Sequence, residues 1–420
     1  MANKVHNRAE IVQPLSAILL CVLISIIALL NRFSVPSVAR GWVGSQYFVN
    51  YDKGFVRRGF PGQLLDISMG SATYEKIEIF GRVMSVLALV AVVYVVWILV
   101  KEENIAETKL WIVLIALFGP LSIGILIRDI GRYDTFGYIY FGTLMLTAKI
   151  IQKHPGFSYL FIPILISGLV IVTLTQEYLL AFCVIPTLIF MRNMLQYKYS
   201  LTNLWKKLLI VLICSVPVSI AAIFSVTQTP SSLQIAYFHQ RAGTSGKWNA
   251  IQSLALDISG QRNLVTPDLT RHTLTNLLYL VLFLFFSSLI MNYILTSKLI
   301  KITVISLSVA AGLLVTNLGV DLRRPWSLAM WATIASAALI QIHSKQIQPL
   351  AESSREKKTT SRSQTSRAWK FQIALYLCIF CQAIPNTPIN VWGITYQLND
   401  IRSFYHAIID FADPELLGGR

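Results

Sequence analysis

Apolar residues in this chain come in long runs of roughly 15 to 24 positions, broken by short segments that carry most of the charge. A helix of about 20 apolar residues crosses the hydrocarbon core of a bilayer, so runs of this length predict membrane-spanning helices. They lie near 12–30, 83–100, 110–127, 135–148, 157–174, 178–191, 208–226, 273–296, 302–318, 325–342 and 371–386. The pattern predicts about eleven spans, the fourth and sixth of them short. The expected fold class is all-α, a polytopic transmembrane helical bundle. Between the first two runs, Pro61 suits the first turn of a helix, and the apolar–polar pattern from Phe60 to Ile67 suits one lying along the membrane surface. The spacing is irregular and the loops differ in length, unlike the repeated halves common in transporters.

The loops carry a second pattern. With the N-terminus in the cytoplasm, alternate loops hold Lys149 and Lys153; Arg192, Lys198, Lys206 and Lys207; Lys298 and Lys301; and Arg355, Lys357, Lys358, Arg362 and Arg367 among Ser and Thr. An excess of Lys and Arg marks the cytoplasmic side. Only the loop from Lys101 to Lys109 lacks one. The expected organisation is a transmembrane catalytic core over 1–343, a flexible basic cytoplasmic linker over 344–370, and a last span with an outer C-terminal tail over 371–420. The first run follows Lys4 and Arg8 and is long for a signal peptide, so it reads as an uncleaved anchor.

Composition narrows the class. Of 420 residues, 55% are hydrophobic and only 13% charged, which argues against a soluble protein. The net charge of +16 is accounted for by the cytoplasmic bias and by anionic lipid headgroups. No Walker loop, zinc-ligand spacing or RNA-binding signature is present, so the expected partner is the lipid bilayer and not nucleic acid. Cys21, Cys183, Cys214, Cys378 and Cys381 all sit in apolar runs, and Cys378 and Cys381 read as two small residues on a spanning helix.

The outer loops, by contrast, combine arginine with acid. Asn50 to Gly62 holds Asp52, Arg57, Arg58 and three glycines in one short stretch. A carboxylate there can accept a proton, paired guanidiniums can hold a phosphate, and glycines let the backbone approach a ligand. Tyr51 joins this group as a substrate-binding candidate. A very short turn carries Arg128, Asp129, Arg132 and Asp134, either a second acidic site or a self-neutralising turn. Two carboxylates can bind a hard divalent ion such as Mg or Mn through oxygen, but on their own they do not assign a metal. Glu177 tips a helical hairpin, and Arg323 and Arg324 follow Asp321 at the start of the tenth span. The long segment from about 227 to 272 holds Tyr237, His239 and Trp248. His239 suits proton transfer, although a lone His is more often a polar surface residue. Charge at the bilayer is costly, about 2.5–3.5 kcal/mol per central Arg on insertion scales, so this recurrence needs a reason beyond topology.

These motifs resemble those of the GT-C superfamily of integral-membrane glycosyltransferases. Those enzymes place an acid in a large first outer loop with a membrane-surface helix, and often a further acidic motif between spans three and four. Asp52, with Arg57, Arg58 and the helix after Pro61, takes the first place; Asp129 and Asp134 take the second. Lys53 follows Asp52 where the family pairs two acids. The resemblance implies transfer of a sugar from a polyprenyl-phosphate carrier to a surface-polysaccharide or lipid-linked glycan acceptor, on the periplasmic face of a bacterial inner membrane. In that scheme Asp52, Asp129 and Asp134 are the catalytic acids. Tyr51, Arg57, Arg58, Arg128, Arg132, Glu177, His239, Arg323 and Arg324 bind substrate. An O-antigen-type polysaccharide polymerase is the alternative within this chemistry. A lipid-linked oligosaccharide flippase or transporter is the alternative outside it, and it would place charges deep in the helices.

Overall fold

The computed structural model describes residues 42–102, 131–154, 158–198, 204–243, 250–256, 269–295, 297–316 and 323–347, with four isolated positions between 103 and 130. Among these residues the protein is all-helical. The helices are α1 (Trp42–Gln46), α2 (Phe60–Met69), α3 (Tyr74–Glu102), α4 (Asp134–Lys153), α5 (Ser158–Thr175), α6 (Leu179–Lys198), α7 (Leu204–Thr227), α8 (Ser232–Ala242), α9 (Ala250–Leu254), α10 (Leu269–Ile294), α11 (Lys298–Thr316) and α12 (Arg323–Ile347). The apolar runs expected near 12–30 and 371–386 lie outside the described residues, as does nearly all of 110–127.

Three stretches are long and apolar enough to cross a membrane: Tyr74–Lys101, Lys298–Thr316 and Arg324–His343. Shorter apolar helices cover Ile162–Thr175, Leu179–Asn193, Ser215–Thr227 and Asn276–Asn292. The outer helices are apolar on both sides. On α3, Met84, Ala88, Val92, Val95 and Leu99 face the core, while Val83, Val86, Leu87, Val90, Val93 and Trp97 are exposed. α7 likewise exposes Val216, Ile220, Ile223 and Phe224. A soluble helix puts polar residues on its outer face; an apolar outer face calls for lipid. The protein is a helical membrane protein.

α12 is the central post. It packs against α3, α4, α6, α10 and α11. Its apolar stretch is 94% buried, against 44% for that of α3 and 33% for that of α11. Such burial requires a thin helix, and Ala329, Ala332, Ala335, Ala337 and Ala338 supply it, with Ser327, Thr333 and Ser336 between them. Between helices in lipid, small residues let backbones approach and hydroxyls bond across the interface. Thr333 shares a 2.9 Å hydrogen bond with Ser308 of α11, and Ser327 one of 2.9 Å with Tyr138 of α4. Trp326 donates to Asn276 of α10 at 2.7 Å, and a Cβ on Gly312 would lie 2.8 Å from its ring.

A helix forms after Gly59 where one was expected, as α2, with Pro61 in its first turn. α3 starts nine residues before the run expected at 83, because Ile77 and Phe80 already turn to the core and Thr73 accepts from the Lys76 amide at 3.3 Å. The long segment after 227 forms α8, which opens on a capping box. Ser231 Oγ accepts from the Gln234 amide at 3.3 Å, and Gln234 Oε1 accepts from the Ser231 amide at 2.8 Å.

The tightest helix crossing gives a direct check. A Cβ on Gly142 of α4 would sit 2.5 Å from the Cβ of Ala91 and 2.9 Å from its Cα. Gly142→Val is expected to destabilise the protein by about 1–3 kcal/mol through overpacking. Adding Ala91→Gly should recover part of the loss, as read from thermal unfolding of purified protein in detergent.

Candidate functional site

Five segments far apart in sequence meet at one end of the bundle. Tyr47 donates its hydroxyl to the Gly131 carbonyl at 2.5 Å. Arg58 pairs with Glu177 at 2.9 Å, and Arg324 with Asp134 at 3.0 Å. Arg57 reaches the 253–256 segment, and Arg241 of α8 reaches Asp66 of α2. Tyr74 donates to the Ala242 carbonyl at 2.6 Å. The loops that the alternating charge pattern assigned to one side therefore share one end of the structure. The N-termini of α3, α4, α6 and α12 open there, and helix N-termini favour negative charge.

The first loop is folded by its own side chains. The Tyr51 amide donates to Gln63 of α2 at 2.9 Å, and the Tyr51 ring stacks on Phe55 at 5.4 Å. Two of the glycines expected to admit a ligand instead admit the chain itself. A Cβ on Gly62 would lie 1.9 Å from the Val49 carbonyl oxygen, and one on Gly59 would lie 2.5 Å from the Tyr51 ring. Arg58 has φ +61°, the one positive value among the described non-glycine residues. That conformation costs on the order of 1–2 kcal/mol and is held by the surrounding contacts.

The two arginines do not form a joint clamp. Arg57 is 6% exposed and donates to the carbonyls of Leu254 and Leu256 at 2.5 and 2.7 Å and of Ser253 at 3.3 Å. It finishes the end of α9, where carbonyls lack helical partners. Burial and the neighbouring Arg58 lower its pKa, against the pull of Glu177. Arg58 turns the other way. Burial opposes its charge, but the Coulombic attraction and hydrogen bond of Glu177 outweigh this and raise its pKa.

The acids divide into paired and unpaired. Asp134 is 5% exposed and accepts from Arg324 and from the Tyr178 hydroxyl, so it locks α4, α12 and the turn before α6 together. Both oxygens of Asp66 accept from Nη2 of Arg241, at 2.8 and 2.9 Å, and Asp66 also accepts from Asn50 at 2.6 Å and the Ala72 amide at 2.9 Å. Glu177 holds Arg58. Asp52 is exposed and forms no ion pair among the described residues. Its Oδ2 accepts from Asn50 at 2.6 Å and from the Tyr237 hydroxyl at 3.1 Å. The Tyr237 ring in turn lies under Lys53, at 5.3 Å, and near Arg241, at 5.8 Å. Asp52 is thus the one oriented carboxylate of this set with no arginine of its own.

His239 lies half-buried on α8. Arg323 opens α12; Arg128 and Asp129 lie outside the described residues. No group of three His, Cys, Asp or Glu that could hold a metal occurs among the described residues. Arg324 already supplies Asp134 with the positive charge a divalent ion would bring, so this carboxylate does not fit a metal ligand as placed. Sequence reasoning missed Tyr237 and Arg241 as partners of Asp52 and Asp66. The Ser-x-x-Gln signature at 231–234, which makes α8 a helix, would have put both on elements facing the loop.

A family model described as "Uncharacterised membrane protein Rv1490" matches residues 14–138, which include the first loop and the turn at Arg132 and Asp134. No curated protein and no solved structure matches the chain. The family match agrees with the apolar outer faces in making this a membrane protein.

The buried pair at the centre predicts its own signature. Its side chains are 13% and 7% exposed. Arg324→Ala strands the Asp134 carboxylate and is expected to cost about 3–5 kcal/mol. Arg324→Gln with Asp134→Asn should cost clearly less than Arg324→Ala alone. Denaturant unfolding in mixed micelles measures both, and equal costs would show that the pair is not the lock.

Proposed function

We propose that this protein is a membrane glycosyltransferase. It moves a sugar from a polyprenyl-phosphate carrier to a surface-polysaccharide or lipid-linked glycan acceptor at the periplasmic face of a bacterial inner membrane. In this reading the bundle has about eleven spans, with the N-terminus cytoplasmic and the C-terminus outside. Nucleotide-activated donors are cytoplasmic, so an outer-face transferase needs a donor already carried by lipid.

The observation that carries the reading is Asp52. It is exposed, oriented by Asn50 and Tyr237, and free of the ion pairs that engage Asp66, Asp134 and Glu177. A carboxylate so held suits a general base. It takes the proton from an acceptor hydroxyl as that oxygen attacks the anomeric carbon. The bond from that carbon to the carrier phosphate breaks, the electron pair leaves with the phosphate, and the sugar centre inverts. Negative charge grows on the leaving phosphate, where guanidiniums and helix N-termini stabilise it. Positioning supplies much of the remaining acceleration. Asp134 and Arg324 then serve the site by holding α4 and α12 in place. No step is routed through a metal.

Asp52→Asn in proteoliposomes is expected to lower transfer from a polyprenyl-phosphate sugar by about 10²-fold or more, with unfolding temperature unchanged. Unchanged transfer removes Asp52 from the role of base. If wild-type protein moves a lipid-linked sugar between leaflets and makes no glycosidic bond, the protein is a transporter. If it lengthens glycan chains without altering repeat-unit mass, it is a polymerase.

A further inference from the structure

Where the first loop meets the turn before α4, the buried polar atoms with no hydrogen-bond partner among the described residues include the hydroxyls of Tyr133 and Tyr51 and Nε of Arg132, along with Gln46 Oε1 and Arg57 Nε. Tyr133 is 1% exposed. Its ring stands edge-on to Tyr47 at 5.3 Å, and Tyr47 directs its own hydroxyl to Gly131. Tyr51 is fixed by Phe55, Gln63 and the bare backbone of Gly59. Tyr133 lies within electrostatic reach of both Tyr51 and Arg58.

A buried hydroxyl with no partner costs about 1–3 kcal/mol, so rigid scaffolding around two of them, with the unpaired Nε of the neighbouring Arg132, calls for a reason. All three can donate a hydrogen bond. Burial raises the pKa of both tyrosines, which keeps their protons on, and Arg Nε only donates. Among the described residues, Glu177 is engaged by Arg58, and Asp134 by Arg324 and Tyr178. A phosphate group brings acceptor oxygens for all three donors and a negative charge to set against Arg132.

We propose that Tyr51, Tyr133 and Arg132 form a phosphate seat that takes the phosphate of a lipid-borne ligand. Resting on the transferase reading, this assigns the donor's phosphate to two tyrosine hydroxyls and Arg132 and removes it from Arg57 and Arg58. Arg58 contributes through its field, and Arg57 through the position of the loop.

The test uses the full chain in detergent, with undecaprenyl phosphate and phosphatidylglycerol as separate probes and no acceptor present. Binding is read from the lipid-dependent rise in unfolding temperature. Tyr133→Phe and Tyr51→Phe should each weaken undecaprenyl phosphate binding about tenfold or more, and Arg132→Gln should do likewise. Without lipid, Tyr133→Phe should unfold at the wild-type temperature or above, since it deletes an unsatisfied buried hydroxyl. A purely structural tyrosine would instead lose stability. Wild-type affinity in the Tyr51→Phe, Tyr133→Phe double variant overturns the seat. If phosphatidylglycerol shows the same tyrosine dependence, the seat stands and its occupant is a bulk headgroup. Because no transfer is measured, the two ideas fail separately. Tyrosine-dependent binding by a protein that makes no glycosidic bond sinks the transferase alone, and tyrosine-independent binding by an active transferase sinks the seat alone.

Discussion

The structure depends on a helix thin enough to be surrounded. α12 is flanked by α3, α4, α6, α10 and α11, and Ala and Ser at its contact positions let those neighbours close on it. In lipid, apolar surface alone does not drive helices together, so close packing and interhelical hydrogen bonds must. Thr333 with Ser308, Ser327 with Tyr138 and Trp326 with Asn276 are those bonds. At its head, Arg324 meets Asp134 and fixes the height at which α4 and α12 end. The polar loops are built on that platform.

Most charge at the platform serves construction. Arg57 completes α9, Arg58 ties the first loop to Glu177, and Arg241 fastens α8 to Asp66. With these guanidiniums engaged elsewhere, Asp52 is left without an ion pair among the described residues. Its two oriented bonds come from neutral groups, Asn50 and Tyr237. The same arrangement that spends the arginines on architecture therefore leaves one acid available for proton transfer in the proposed reaction.

Length and charge of the apolar runs made the helices legible from sequence, because a bilayer sets both. α2 was legible through Pro61, and the alternation of Lys and Arg grouped the first loop, the turn before α4, the Glu177 hairpin and the start of α12, which meet at one end. The partners were not legible. Nothing local in Arg57 and Arg58 says that one turns to backbone carbonyls 196 to 199 residues away and the other to an acid 119 residues away. Gly59 and Gly62 looked like room for a ligand, and only the fold shows a tyrosine ring and a carbonyl in that space. Nothing local around Tyr133 says that its side chain is buried. α8 carried a readable cap at Ser231 and Gln234, obscured by the polar composition around it.

The spans differ in reach. Tyr74–Lys101 has 28 residues and Lys298–Thr316 has 19, or about 42 Å against about 28 Å at helical rise. A hydrocarbon core of about 30 Å accommodates the second and not all of the first. The surplus falls at the end that carries Glu75, Lys76, Glu78 and Arg82. α3 thus outreaches the hydrocarbon core, and α2 packs against it. In the proposed reaction, a loop carried at that height lets the lipid tail stay dissolved in the bilayer while its polar head meets a water-borne partner, so the lipid need not be pulled out of the membrane.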